Sequence, residues 1–305
     1  MKPLILDIKG NSLDDGPGIR SVVFFKGCPL DCLWCHNPES KRPGLEISYD
    51  AKVCIGCGTC IETCPKRAIS KTNPFFIDRM VCDLCLKCEE TCPSGALARV
   101  GREMTADEIL SHVIADKPFF DTSNGGVTLS GGEPTFYMEF CANLAKKLKE
   151  NGIHVLIETC GLFEIEDFTS KVLPHVDMIY FDIKLIDPDL HKKYCGADNG
   201  VILENFAELH KRFKAGGVPV LPRTPLVPGI TDTENNMRAI GKWLAMQGEQ
   251  KIQVMAYHPM WMEKNAKIGI KTPQDIGPSL YKWMDHDDVL RCKRILEDEG
   301  LCVIL

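Results

Sequence analysis

No stretch of this 305-residue chain approaches the roughly 18 uncharged apolar residues that a membrane-spanning helix needs. Its opening, Met1-Lys2-Pro3-Leu4-Ile5-Leu6-Asp7, has too short an apolar run for a secretory signal. There is no large basic block, and the formal charge is -6, so general binding to a phosphate backbone lacks its electrostatic footing. Internal repeats and low-complexity tracts are also missing. These absences lead to the expectation of a soluble cytoplasmic protein that engages neither membrane nor nucleic acid. The 25 glycines and 19 prolines are ordinary in number. With 44% hydrophobic residues, a chain of this length can bury a large core in one or two domains.

Cysteine is present in excess. There are 16, and 11 of them lie between Cys28 and Cys92 in three tight runs; Cys141, Cys160, Cys195, Cys292 and Cys302 are scattered. Disulfide scaffolds staple small secreted chains, a class this sequence does not fit. Clustered thiols in a large chain read as metal ligands.

Short β-branched and aromatic runs predict strands at residues 4–8 and 21–26, with Gly27-Cys28-Pro29 closing the second. Thr105-Ala-Asp-Glu108 is a capping-box pattern that opens a helix, with Pro118 expected to help stop it. Further strands are predicted at 127–129, 153–158, 178–183, 218–222 and 251–256. Helices are expected at about 136–150, 164–173, within 200–214, at 232–246 behind a capping box Thr231-Asp-Thr-Glu234, and at about 287–299, with a small terminal strand after it. Alternating strands and helices indicate an α/β fold with a largely parallel sheet, either six β/α units in a partial barrel or an open doubly wound sheet. Cys28, Gly131, Glu158, Lys184, Arg223 and His258 all follow predicted strands. In a parallel arrangement those loops share one face, so these residues should converge on one pocket. Residues 50–100 differ: eight cysteines and weak apolar periodicity predict a small unit held together mainly by metal centres.

Cys28-Pro-Leu-Asp-Cys32-Leu-Trp-Cys35 places three thiols close enough for an iron–sulfur cube, leaving its fourth iron without a protein ligand. Structural zinc is the competing reading, with His36 completing a Cys3His set. The spacing resembles the signature of the radical S-adenosylmethionine (SAM) enzymes. The flanking Asp15-Gly-Pro-Gly-Ile-Arg20 and His36-Asn-Pro-Glu-Ser40 narrow the resemblance to the glycyl radical enzyme activating enzymes, over essentially the whole chain. It implies a partial (β/α)6 radical SAM barrel formed by residues 1–48 and 101–305, with an inserted ferredoxin-like domain at 49–100. It also implies that Cys28, Cys32 and Cys35 hold the catalytic cluster, with Trp34 packed beside it.

Cys54-x2-Cys57-x2-Cys60-x3-Cys64-Pro65 and Cys82-x2-Cys85-x2-Cys88-x3-Cys92-Pro93 each match the bacterial ferredoxin pattern, in which the fourth cysteine of a run ligates the other cluster. Cys54, Cys57, Cys60 and Cys92 are therefore expected on one cube, and Cys82, Cys85, Cys88 and Cys64 on the other, giving three 4Fe-4S clusters in all. Electron relay and structural support both remain open roles for the inserted pair.

Ser130-Gly131-Gly132-Glu133-Pro134 resembles the motif that holds the SAM amino group. Its glycines would let the backbone approach a ligand, and Glu133 offers a carboxylate to an ammonium. By the same resemblance Lys184 and His258 lie beside SAM, Arg223 is a further contact, and Glu158 with Asp182 could surround a monovalent cation. Glu158 stands where the shorter pyruvate formate-lyase activator has aspartate, which alters that geometry. Cys160 is expected to be a small residue near the site and not a ligand. The implied activity is reductive cleavage of SAM followed by hydrogen abstraction from a backbone glycine of a partner enzyme. A flavodoxin, a ferredoxin or a similar carrier would supply the electron, and the activator itself would be a monomer. Radical modification of a small molecule or another peptide is the enzymatic alternative. A ferredoxin-like electron-transfer protein is the non-enzymatic one.

Overall fold

The computed structural model describes residues 3–273 and 276–305. Its strands are β1 (Leu4–Ser12), β2 (Arg20–Lys26), β3 (Glu46–Tyr49), β4 (Leu97–Val100), β5 (Arg102–Glu103), β6 (Gly126–Gly131), β7 (His154–Thr159), β8 (Met178–Asp182), β9 (Val220–Leu226), β10 (Lys251–Ala256) and β11 (Cys302–Ile304). Among the described residues the main sheet runs β11-β10-β9-β8-β7-β6-β2-β1-β5. From β2 through β6 to β11 every neighbouring pair is parallel, whereas β1 is antiparallel to both β2 and β5. Strands β6 to β10 follow chain order, each joined to the next by a crossover connection. The mixed α/β sheet is that of a partial barrel.

The interior strands read as parallel strands covered on both faces. In β6, Gly126 through Ser130 are all buried. The outer layer forms by helical periodicity: Cys141, Leu144, Ala145 and Leu148 of Met138–Glu150 are buried at spacings of three and four, and Gly152 (φ +68°) turns the chain back. The Thr105/Glu108 capping box is complete, each side chain bonding the other's backbone N–H.

Several boundaries differ from expectation. Pro118 does not end a helix; it occupies the first turn of the next one, Lys117–Ser123, where its missing N–H costs nothing. Thr233, not Thr231, caps the helix Glu234–Met246, because the Thr231 hydroxyl is already bonded to the Val227 amide and the Pro225 carbonyl. Strand β9 runs past Pro222 and Pro225 to Leu226, so Arg223 lies within the strand; its carbonyl accepts from Ile183 at 2.8 Å. The segment expected as one helix at 164–173 contains a stretch of wide π turns at Phe168–Val172. The helices Lys117–Ser123, Pro188–Cys195 and Trp261–Lys267, and the short Thr59–Thr63 and Lys87–Glu90 in the cysteine-rich segment, have no counterpart among the expected elements.

Between β3 and β4, which pair antiparallel, the cysteine-rich segment has a small core of its own, built on Ile47, Ile69, Ile77 and Leu97 with Cys60 and Cys88. Its N-terminal end is fastened from two sides. Lys26, fully buried at the end of β2, meets Glu46 at 2.6 Å and donates to the Glu39 carbonyl at 2.7 Å. Lys267 meets Asp50 at 2.8 Å, and Glu263 meets Lys52 at 2.7 Å. No helix among the described residues is long and apolar enough to cross a membrane.

Candidate active site

The first cysteine run leaves the end of β2 and is pinned by its main chain. Gly27 N donates to Ser40 O (2.6 Å) and Cys28 N to Lys41 O (3.1 Å). Asp31 N donates to Cys195 O (2.8 Å) and Leu33 N to Tyr194 O (2.9 Å), so the loop hangs from the C-terminal end of the helix Pro188–Cys195. Lys41 Nζ holds it from the other side through Asp31 Oδ1 and the Cys32 carbonyl. Burial pushes the Cys35 thiol up to about 12. Cys32 moves the other way: its interaction with Cys195 lowers it more than burial raises it, and Lys184 and Lys41 assist.

The turn after β6 packs directly against this loop. Gly132 N donates to Phe25 O and Glu133 N to Gly27 O, both at 2.8 Å. A Cβ on Gly131 (φ +109°) would run into the Phe25 backbone, and one on Gly132 into the Gly27 carbonyl. The demand for glycine thus comes first from neighbouring main chain, and not only from a ligand. Glu133 is buried and turned inward. Its Oε1 accepts from Thr135 N and Oγ1 and from Thr159 Oγ1, and its Oε2 accepts from Cys160 N.

Strands β7, β8 and β9 supply a charged wall. Arg223 bridges Glu158 (2.6 Å) and Asp182 (3.1 Å), Lys184 Nζ lies 3.1 Å from the other Asp182 oxygen, and Ser130 donates to Glu158 at 2.5 Å. Burial alone would lower the pKa of Arg223 and of Lys184; the adjacent carboxylates outweigh it and hold both above their usual ranges. Burial likewise acts to raise Asp182, but Lys184 and Arg223 prevail and lower it. A monovalent cation at Glu158 and Asp182 would have to share them with this guanidinium.

These parts enclose a cavity of about 220 Å³ lined by Cys28, Cys32, Trp34, Cys35, Gly131, Gly132, Glu158, Asp182, Lys184 and Arg223, with Cys160 and Met255. The lining combines three closely spaced thiols with paired charges, a donor set that fits an iron–sulfur cube beside a zwitterionic ligand. Glu133 and His258 do not line it. His258 stacks on His36 at 3.8 Å and against Trp283 at 5.4 Å, and His36 Nε2 and His258 Nδ1 are buried without hydrogen-bond partners among the described residues. Lys264 secures the exit of the loop by donating to His36 O and Asn37 Oδ1.

In the cysteine-rich segment, one cavity of about 330 Å³ is lined by Cys54, Cys57, Cys60 and Cys92, and a second by Cys64, Cys82, Cys85 and Cys88. Among the described residues no three His, Cys, Asp or Glu side chains close on one ion-sized position. A cube carries its thiolates on separate irons and asks for a wider cage than zinc does. Sequence reasoning did not anticipate that Cys195 and Lys264 would bond the cysteine loop, since each lies on an unanticipated helix.

Residues 22–238 match the Radical SAM superfamily. The chain is 38% identical over 276 residues to the isethionate sulfite-lyase activating enzyme of Oleidesulfovibrio alaskensis, covering 88% of each chain. It is 36% identical over 287 residues to the choline trimethylamine-lyase activating enzyme of the same organism, covering 92% of this chain and 91% of that one. It is 39% identical over 272 residues to the trans-4-hydroxy-L-proline dehydratase activating enzyme of Clostridioides difficile, covering 88% of each.

Proposed function

The chain belongs to the radical SAM superfamily, and from that premise we propose that it is an activating enzyme that cleaves SAM reductively and takes a hydrogen atom from a backbone glycine of a partner glycyl radical enzyme. The observation that carries the reading is the single cavity in which three closely spaced thiols face the Gly131-Gly132 turn and the Glu158, Asp182, Lys184 and Arg223 wall.

When bound, a 4Fe-4S cluster with one iron free of protein ligand supplies the electron that breaks the sulfonium's bond to C5′, giving methionine and a 5′-deoxyadenosyl radical that becomes 5′-deoxyadenosine on taking the glycine hydrogen. Cys28, Cys32 and Cys35 serve as the thiolate ligands of that cluster. The backbone at Gly131 and Gly132 receives the SAM ammonium. Glu133 backs that turn and offers its carboxylate to the same ammonium through Oε2, which accepts one hydrogen bond, from Cys160 N. Lys184 and Arg223 offer the positive charge for the SAM carboxylate, and His258 borders the site through its stack on His36. Trp34 excludes water beside the thiols. No side chain has to act as a general base; the residues orient the reacting groups and shield them.

Residues 49–100 are assigned as a ferredoxin-like domain inserted into the radical SAM domain of residues 1–48 and 101–305. Cys54, Cys57, Cys60 and Cys92 hold one further 4Fe-4S cluster, and Cys64, Cys82, Cys85 and Cys88 the other. The support is that each set lines its own cavity although the fourth cysteine of each comes from the other run. Cys57 and Cys85 are exposed, which suits entry of electrons from a flavodoxin, a ferredoxin or a similar one-electron donor. The three relatives serve different lyases and a dehydratase at nearly equal identity, so the partner's own substrate is not written into this chain. The reading is tested by mixing the reconstituted activator with candidate partners, reductant and SAM without oxygen. A glycine-centred paramagnetic signal is expected in one of them, together with 5′-deoxyadenosine.

A further inference from the structure

The loop that carries Lys184, from Ile183 to Ile186, is neither helix nor strand and joins β8 to the helix Pro188–Cys195. The carbonyls of such a stretch must find partners outside a regular ladder. All four are taken by side chains. Thr224 Oγ1 donates to Ile183 O (2.6 Å), Asn236 Nδ2 to Lys184 O (3.0 Å), and Asn199 Nδ2 to both Leu185 O and Ile186 O (2.8 Å each). Asn236 grips the loop a second time, its Oδ1 accepting from Ile186 N at 3.2 Å, while its Nδ2 also donates to Thr231 O at 2.8 Å.

These three side chains are buried and come from β9 and from the starts of two helices, Gly200–Lys214 and Glu234–Met246. Asn199 stands at the N-cap of the first helix, where an asparagine ordinarily turns its oxygen to the opening amides. Its side chain makes no such bond; the amide is given to the loop instead. Ile183 and Leu185 are each 1% exposed and pack into two different apolar clusters, which holds the main chain on both sides of Lys184. The Lys184 ammonium then reaches Asp182 and the wall of the cavity. Neither asparagine lines that cavity.

We propose that Asn199 and Asn236 are positioning residues for SAM: by clamping the main chain of residues 183–186 they set where Lys184 meets the SAM carboxylate. A lysine side chain is long and rotatable, so the placement of its backbone root decides where its charge can rest. A displacement of about 1 Å in such a group can cost up to about 100-fold. The inference rests on the assignment of Lys184 to the SAM carboxylate.

The test is a double-mutant cycle on the full-length, reconstituted protein, with the dissociation constant for SAM read by calorimetric titration without oxygen. Lys184→Met should weaken binding, and Asn236→Ala alone should weaken it about tenfold. In the Lys184→Met background Asn236→Ala should add little, because the group it positions is gone. A loss of equal size in both backgrounds would make Asn236 a general support of the fold and overturn the inference. Unchanged affinity in Asn236→Ala alone would overturn it too. If that variant does not fold, Asn199→Ser takes its place in the cycle and the same two outcomes decide. Serine suits the helix start as well as asparagine does, so that change removes the grip on the loop and keeps the cap. Wild-type affinity in Lys184→Met would instead sink the assignment of Lys184 on which the inference rests.

Discussion

Arg223 Nη1 lies 2.6 Å from Glu158 Oε1, and Nη2 of the same guanidinium lies 3.1 Å from Asp182 Oδ1, so one side chain ties together three neighbouring parallel strands. All three groups are largely withdrawn from water, and removing one partner of a buried pair costs about 3–5 kcal/mol. Arg223→Met should therefore lower the melting temperature and weaken SAM binding together. Arg223→Lys should recover only part of each, because one ammonium cannot reproduce the planar fork. Thermal unfolding and calorimetric titration with SAM measure the two effects; normal binding in Arg223→Met would remove this residue from the cofactor site.

Gly131 and Gly152 both have positive φ but different surroundings. Gly152 has open space around it, so Gly152→Ala should cost only left-handed backbone strain, about 1–2 kcal/mol. Gly131→Ala adds a collision with the Phe25 backbone and must push β6 away from β2, so it should cost more and also lower iron incorporation. Denaturant unfolding and iron analysis separate the two; equal costs would refute the close-approach account.

Cys32→Ala should abolish 5′-deoxyadenosine production while leaving the iron of the inserted segment in place. Cys57→Ser should remove about four irons from that segment and leave the SAM response of the catalytic cluster intact. If Cys57→Ser activates its partner at the normal rate with every one-electron donor tried, the inserted clusters are not an obligatory relay.

His210 is 2% exposed, stacked on Phe206, with Glu249 at 3.0 Å but without hydrogen-bond geometry. Burial lowers its pKa more than Glu249 raises it. Its folded value therefore lies below the unfolded value of about 6.5, so as the pH falls below that value the unfolded chain takes up a proton that the folded one refuses. Stability tied to this residue is intact above about pH 6.5 and is lost as the pH drops toward the folded value. His210→Phe should flatten that part of the melting-temperature profile between pH 7.5 and 5.5; an unchanged slope would contradict it.

Much of the frame could be read directly because its signals are local. Strand β10 matches its expected limits, and the Thr105/Glu108 box does what its spacing implies. Residues placed after separate strands do meet: Cys28, Gly131, Glu158, Lys184 and Arg223 line one cavity. The helix Pro188–Cys195 also carried local signals, since Asp187 caps it, Pro188 occupies its first turn and Gly196 closes it, but it is short and has a narrow apolar face. The main-chain bonds that bring Cys195 to Asp31 and Cys160 to Glu133 are of another kind. They depend on which strand ends and helix ends become neighbours, and no spacing within the chain encodes them. Glu133 shows the same limit: its motif suggests a ligand carboxylate, and only the arrival of Thr159 and Cys160 from β7 and the turn after it shows how that carboxylate is oriented.

The most direct measurement is the paramagnetic spectrum of the reduced, oxygen-free protein before and after SAM is added. Binding of SAM to an iron that no residue ligates should change the signal of one cluster in three, and Cys32→Ala should lose that change alone. A spectrum indifferent to SAM, in a protein with its full complement of iron and sulfide, would contradict the account.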